Sequence, residues 1–205
     1  MRNIAVIDVP SEKRESGQNR HYTERCSGTL LQNVEPNGPE LLMTAWHCIE
    51  HYADLSKTIS VRFPHAAEKA RSYSARVYRS GTSISSDWAL LKLTAPVEDP
   101  KLTGLPLAAP WEKDKATALG FAGALEQGRS TLSFDTRCVW STSNRWASCQ
   151  SSKGSSGGPL VQVRSDQAYL VGVISQGDSE ALTLSWSPSE LPISLRAGLR
   201  FHEAP

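Results

Sequence analysis

"KGSSGGPLV" (153–161) sets two adjacent serines among three glycines and runs directly into the apolar "PLVQV" (159–163). Glycine weakens a strand interior and marks sharp bends or close backbone approach. Proline cannot donate to a sheet ladder. The stretch has two readings. In one it is a polar surface loop between strands. In the other, one serine is a nucleophile held on a tight turn, beside backbone N–H groups that face a developing negative charge. A serine is a weak nucleophile until a base activates it, so the second reading requires a histidine and an acid elsewhere in the chain.

The chain of 205 residues suffices for one large domain or two small ones that share a core. Charged residues make up 21% and hydrophobic ones 39%, and 22 basic against 21 acidic residues leave a net charge of +1. That balance carries no footprint for nucleic acid or an anionic membrane. The longest apolar runs fall far short of the ~20 residues that span a bilayer. "MRNIAVIDVP" is too short an apolar run for a signal peptide and is followed at once by "SEKRESGQNR". The chain is therefore read either as an internal protein or as a mature form with a start methionine.

Four cysteines bear on that choice: Cys26, Cys48, Cys138 and Cys149. None forms a Cys-x-x-Cys pair, and no histidine stands at zinc-finger spacing, so no metal is expected. An even count, two in each half, reads as two disulfides, with Cys26–Cys48 and Cys138–Cys149 as the proposed pairs. That favours an oxidising compartment. Four buried free thiols in a cytosolic protein are the competing reading.

Short runs with β-branched or aromatic residues recur along the chain. They are "SGTLLQ" (27–32), "ELLMTAW" (40–46), "TISVRF" (58–63), "SYSARVY" (72–78), "DWALLKL" (87–93), "ATALGFA" (116–122), "TLSFDTRCVW" (131–140), "PLVQV", "YLVGVIS" (169–175) and "ISLRAGLRF" (193–201). Turn residues separate them, which argues for an all-β sandwich or barrel. "HCIEHYADL" (47–55) reads as one or two helical turns. Residues 1–25 read as a polar arm, and the proline-rich stretch 94–115 as an extended connector.

Of five histidines, His21, His51, His65 and His202 sit in polar or loop-like settings. His47 differs: it ends the apolar "LLMTAW" and precedes Cys48. A bridge from Cys48 to Cys26 clamps the backbone beside it. A general base needs such fixed geometry, because misplacement by about 1 Å costs on the order of 100-fold. Among the acids, Asp87 opens the buried-looking "DWALLKL". A carboxylate there is costly unless hydrogen-bonded, and an imidazole N–H would satisfy it. It also reads as a turn aspartate closing "SISSD".

"TAWHC", "DWALLKL" and "GSSGGPLV", in this order and with "CSGTLL" upstream, resemble the signatures of the trypsin/chymotrypsin-like serine peptidases. The resemblance runs from about Cys26 to about Phe201. It implies two perpendicular six-stranded Greek-key β-barrels with the active site in the crevice between them. Residues 26–98 would form the first barrel, 99–115 the connector and 116–205 the second barrel, together one peptidase domain. It also implies a triad of His47, Asp87 and Ser156, an oxyanion hole of the Gly154 and Ser156 N–H groups, and no cofactor. The substrate would be a protein or peptide, and the protein a secreted or periplasmic monomer.

The chain departs from animal digestive members by placing Ser155, not aspartate, before the nucleophile. An ion pair to a freed N-terminus is then not expected. "CQSSKGSSGGP" is more similar to the bacterial extracellular branch that includes glutamyl and lysyl endopeptidases. By the same resemblance, Gln150 and Ser151 line one wall of the primary pocket, and the backbone of Ser175, Gln176 and Gly177 pairs with the substrate. Ile174 stands where glutamate-specific relatives carry histidine. Asp178 and Glu180 would attract a basic side chain, and Lys153 an acidic one. Two other functions stay open: a non-catalytic homologue that binds protein through the same cleft, and an esterase with the same triad.

Overall fold

Ile4, Ala5, Val6, Ile7 and Val9 are all but inaccessible to solvent. They belong to strand β1 (Ile4–Glu15) of a computed structural model, which describes residues 2–35, 38–66, 72–121, 131–141, 146–149, 154–177 and 183–203. β1 pairs with β2 (Gln18–Leu30) from Ile4↔Thr29 out to Glu15↔Gln18. The hairpin turns at Ser16 and Gly17, both at positive φ (51° and 82°), the mirror-image turn whose twist suits two antiparallel strands.

Residues 1–25 are therefore not a polar arm. Their inner half fills the core and their outer half is a charged ribbon. β3 (Leu41–Thr44), β4 (Ile59–Arg62), β5 (Ser72–Ser80) and β6 (Ala89–Leu93) complete a closed barrel in the order β1-β2-β3-β6-β5-β4. Every neighbouring pair in it is antiparallel.

The second half holds β7 (Leu107–Ala108), β8 (Lys115–Phe121), β9 (Leu132–Ser141), β10 (Trp146–Ala147), β11 (Pro159–Arg164), β12 (Gln167–Gly177), β13 (Thr183–Trp186) and β14 (Phe201–His202). Its sheet runs β11-β8-β9-β10-β13-β12-β7-β14, and a further β11–β12 pairing closes six of these strands on themselves. The fold is the expected all-β, two-barrel architecture.

"ISLRAGLRF" is not one strand, as its apolar spacing suggests. Pro192 leads into a single helical turn, α1 (Ile193–Arg196), and the strand begins only at Phe201. Proline's fixed φ suits the start of a helix, and Ile193 points outward at 76% exposure. The connector and this C-terminal segment are both stitched to the end of β2. Leu31 bridges Leu105, Asn33 bridges Leu199, and Arg200 N–H donates to Gln32 O at 2.9 Å. The main hydrophobic core continues from the first barrel into the second through Leu119, Phe121 and Val173, so the two barrels share an apolar base. Burial of side chains of this size stabilises by roughly 1.5–3 kcal/mol each.

Candidate active site

β3 and β6 run antiparallel with Thr44 opposite Ala89. The residues just after Thr44 and just before Ala89 therefore leave the barrel at the same end. His47 lies in a short 3-10 turn (Trp46–Cys48) on one chain. Asp87 lies on the other, after a second such turn (Ile84–Ser86). Cys48 is bridged to Cys26 in β2, and Trp46 packs on the core that contains both sulfurs. The backbone under His47 is held on both sides.

Asp87 is 1% exposed, and it receives three hydrogen bonds. His47 Nδ1 donates to Oδ2 at 2.8 Å and His47 backbone N–H donates to Oδ1 at 2.9 Å. The Ser175 hydroxyl donates to Oδ2 as well. Burial pushes the Asp87 carboxyl up, but the His47 ring, the Ser175 hydroxyl and the His47 amide together outweigh it and hold the group below the usual carboxylate range. With Nδ1–H committed to Asp87, the His47 Nε2 lone pair is free to accept a proton. Trp88 directly follows Asp87, and its buried ring lies 5.6 Å from the buried Trp186 ring, the two tilted by 31°.

Ser175 reaches Asp87 because β12 is irregular there. Its pairing with β13 shifts register between Ile174 and Gln176, and Ser175 is the extra residue. Such a bulge re-aims a side chain that strict alternation would send elsewhere. Sequence reading placed Ser175 among the substrate-pairing residues and missed its hydroxyl. The one signal was a small polar residue closing the apolar run "YLVGVIS".

The serine-glycine turn has Gly154 at φ 97° and Gly157 at φ 77°. Gly157 N–H donates to Ile174 O and Gly158 N–H to Ser155 O, each at 2.8 Å. Ser155 is 2% exposed, while Ser156 is half-buried. The turn is seated on the first barrel. Ser27 N–H donates to Ser156 O at 2.8 Å, and a Cβ at Gly157 would lie 2.1 Å from Thr44 Oγ1. Only glycine fits between Ser156 and the strand that leads to His47. The structure thus joins His47 to Asp87 directly and brings the Ser156 turn against the same strand. Among the described residues, His47 makes no hydrogen bond to Ser156 Oγ. Such bonds are often long in unliganded sites and tighten with substrate.

Cys138 and Cys149 are bridged, so both proposed disulfides are present. Cys26, His47 and Cys48 cluster as metal ligands would, but the two sulfurs are bonded to each other. Gln176 is exposed and Gly177 ends β12. Gln150, Ser151, Lys153, Asp178 and Glu180 lie outside the described residues.

The sequence profile of the trypsin-like peptidase domain matches residues 26–173, a span that includes His47, Asp87 and Ser156. The chain belongs to the trypsin-like peptidase family. No curated protein matches it. As a trypsin-like fold it superposes on an inactivated protease paralogue of the scabies mite (TM-score 0.65, 16% identity), covering 95% of this chain and 91% of that one. It also resembles the protease Anisep of Arthrobacter nicotinovorans (TM-score 0.64, 17% identity, 91% of this chain and 90% of that one). Neither likeness singles out the glutamyl and lysyl endopeptidase branch. Among the described residues no helix is long and apolar enough to cross a membrane.

Proposed function

We propose that this trypsin-like peptidase domain is an active serine endopeptidase. The observation that carries the reading is the His47–Asp87 pair, with Asp87 triply hydrogen-bonded and His47 Nε2 left as the acceptor. Ser156 is the nucleophile. His47 takes its proton as Oγ attacks the carbonyl carbon of the scissile peptide. The negative charge on the carbonyl oxygen is met by the N–H groups of Gly154 and Ser156. His47 then gives the proton to the leaving amine, and an acyl-enzyme forms on Ser156. Water, deprotonated by His47, completes hydrolysis. Asp87 stays ionised throughout, fixing the imidazole tautomer and stabilising the imidazolium.

Ser175–Gly177 run on past the last rung between β12 and β11, at Pro159↔Val173, so among the described residues their second edge has no partner. An extended peptide adds there as an antiparallel strand. Two disulfides fit a secreted or periplasmic protein. The deciding experiment is labelling with a fluorophosphonate, followed by peptide mapping. Modification at Ser156 supports the reading. An unlabelled folded protein would instead be a non-catalytic homologue. A peptide-library digest then separates an endopeptidase from an esterase.

A further inference from the structure

Ser27, in β2 of the first barrel, is fully buried. Both of its backbone polar groups and its hydroxyl are engaged at the cleft. Its N–H donates to Ser156 O at 2.8 Å, and its carbonyl accepts from Thr44 Oγ1 at 2.8 Å. Its hydroxyl donates to Gly154 O at 3.1 Å and accepts from Phe121 N–H, at the end of β8, at 2.8 Å. One side chain in the first barrel therefore holds two separate pieces of the second.

Gly154 needs this more than other residues would. At φ 97° it occupies a region open to glycine, where neighbouring peptide planes rotate at little steric cost. The Ser27 hydroxyl fixes the peptide plane that follows Gly154, and the Ser27 amide fixes the plane that follows Ser156. The plane between Ser155 and Ser156 supplies one of the two N–H groups assigned to the oxyanion. It is thus pinned at both ends by a single residue.

We infer that Ser27 is a positioning residue whose hydroxyl, acting through the Gly154 carbonyl, holds the nucleophile turn in the orientation that aims the Gly154 and Ser156 N–H groups at a common point. The inference rests on the serine-peptidase reading above. Losing a direct oxyanion donor costs about 10²–10³ in rate. Losing a hydroxyl that acts through one should cost less, about tenfold.

The test is Ser27→Ala, with p-nitrophenyl acetate as an acyl donor that needs no specificity pocket. Acylation should slow about tenfold in the burst phase, with KM and the midpoint of the acid limb of the pH–rate profile unchanged. Ser27→Thr, which keeps the hydroxyl, should recover most of the rate. An unchanged burst rate in Ser27→Ala, or a loss accompanied by a shifted midpoint, overturns the inference. The second result would show damage to the His47–Asp87 pair. Should Ser27→Ala not fold, Ser27→Gly carries the same comparison, since it leaves room for water at the Phe121 amide. If the wild-type protein does not acylate at all, the peptidase reading fails on its own. The crystal structure of Ser27→Ala then decides the positioning claim. A Gly154 carbonyl turned from its wild-type direction supports it, and an unmoved one refutes it.

Discussion

Replacing Gly157 by alanine should disable the site while leaving the protein folded. An alanine Cβ would stand 2.1 Å from Thr44 Oγ1, 2.3 Å from Ser27 O and 3.0 Å from Ala45 N, where ordinary contact begins at 3.4 Å. Something must retreat by about 1.3 Å. Thr44 cannot: its hydroxyl is bonded to Ser27 O and its backbone is paired with Ala89 inside a closed barrel. The turn must move, and Ser156 moves with it. A displacement near 1 Å costs about 100-fold in rate. The left-handed φ adds roughly 1–2 kcal/mol of strain, and each hydrogen bond lost from Ser156 O or Gly157 N–H about 1 kcal/mol more. The expected stability loss is about 3 kcal/mol, below the total stability of a typical domain. The assay is the p-nitrophenyl acetate burst, normalised by the fraction of folded protein from near-ultraviolet circular dichroism. A folded Gly157→Ala variant that acylates within about fivefold of wild type would refute the claim that this turn is wedged against Thr44.

Ser156→Ala should abolish fluorophosphonate labelling, whereas Ser155→Ala, whose Oγ is turned into the second barrel, should retain most of it; labelling that is lost only in the Ser155 variant reverses the assignment. Asp87→Asn should reduce acylation about 10⁴-fold by favouring the wrong His47 tautomer. Because the folded Asp87 carboxyl sits below its unfolded value, the stability it confers is complete above about pH 4 and is lost as pH falls through the folded value. Guanidinium midpoints measured from about pH 7 to pH 2 should fall less steeply in Asp87→Asn than in wild type, and parallel curves would contradict the shift. Opening the Cys26–Cys48 bridge by double alanine substitution should lower stability by roughly 2–4 kcal/mol and slow acylation, read by melting and burst kinetics on one sample.

The barrel strands that carry His47 and Asp87 were legible because each is a short apolar run with a chemical anomaly at its end. The serine turn was legible because its glycines interrupt the start of "PLVQV" and because it stands third in the order of signatures after "TAWHC" and "DWALLKL". β1 was misread because "SEKRESGQNR" dominates its neighbourhood; a ribbon whose inner half is core and outer half is solvent averages to a polar segment. "ISLRAGLRF" was misread because a four-residue helix completes barely one 3.6-residue period, too little to stand out from the two-residue alternation around it. Ser175 and Ser27 were missed for a different reason. Their roles depend on a bulge and on contact between two barrels, and neither leaves a trace in local composition.

The stitching of Leu105, Leu199 and Arg200 to the far end of β2 has a consequence for synthesis on the ribosome. Chains emerge N-terminus first, and contacts between distant residues are slow to form. The first barrel can begin to close early, and with it the His47–Asp87 pair. The seam that fixes the second barrel against it waits for Leu199 and Arg200, which follow every strand through β13. Until then the Ser156 turn has no completed second barrel to stand in. Under the proposed function, the parts of the site are made on separate segments and meet only once both barrels have closed.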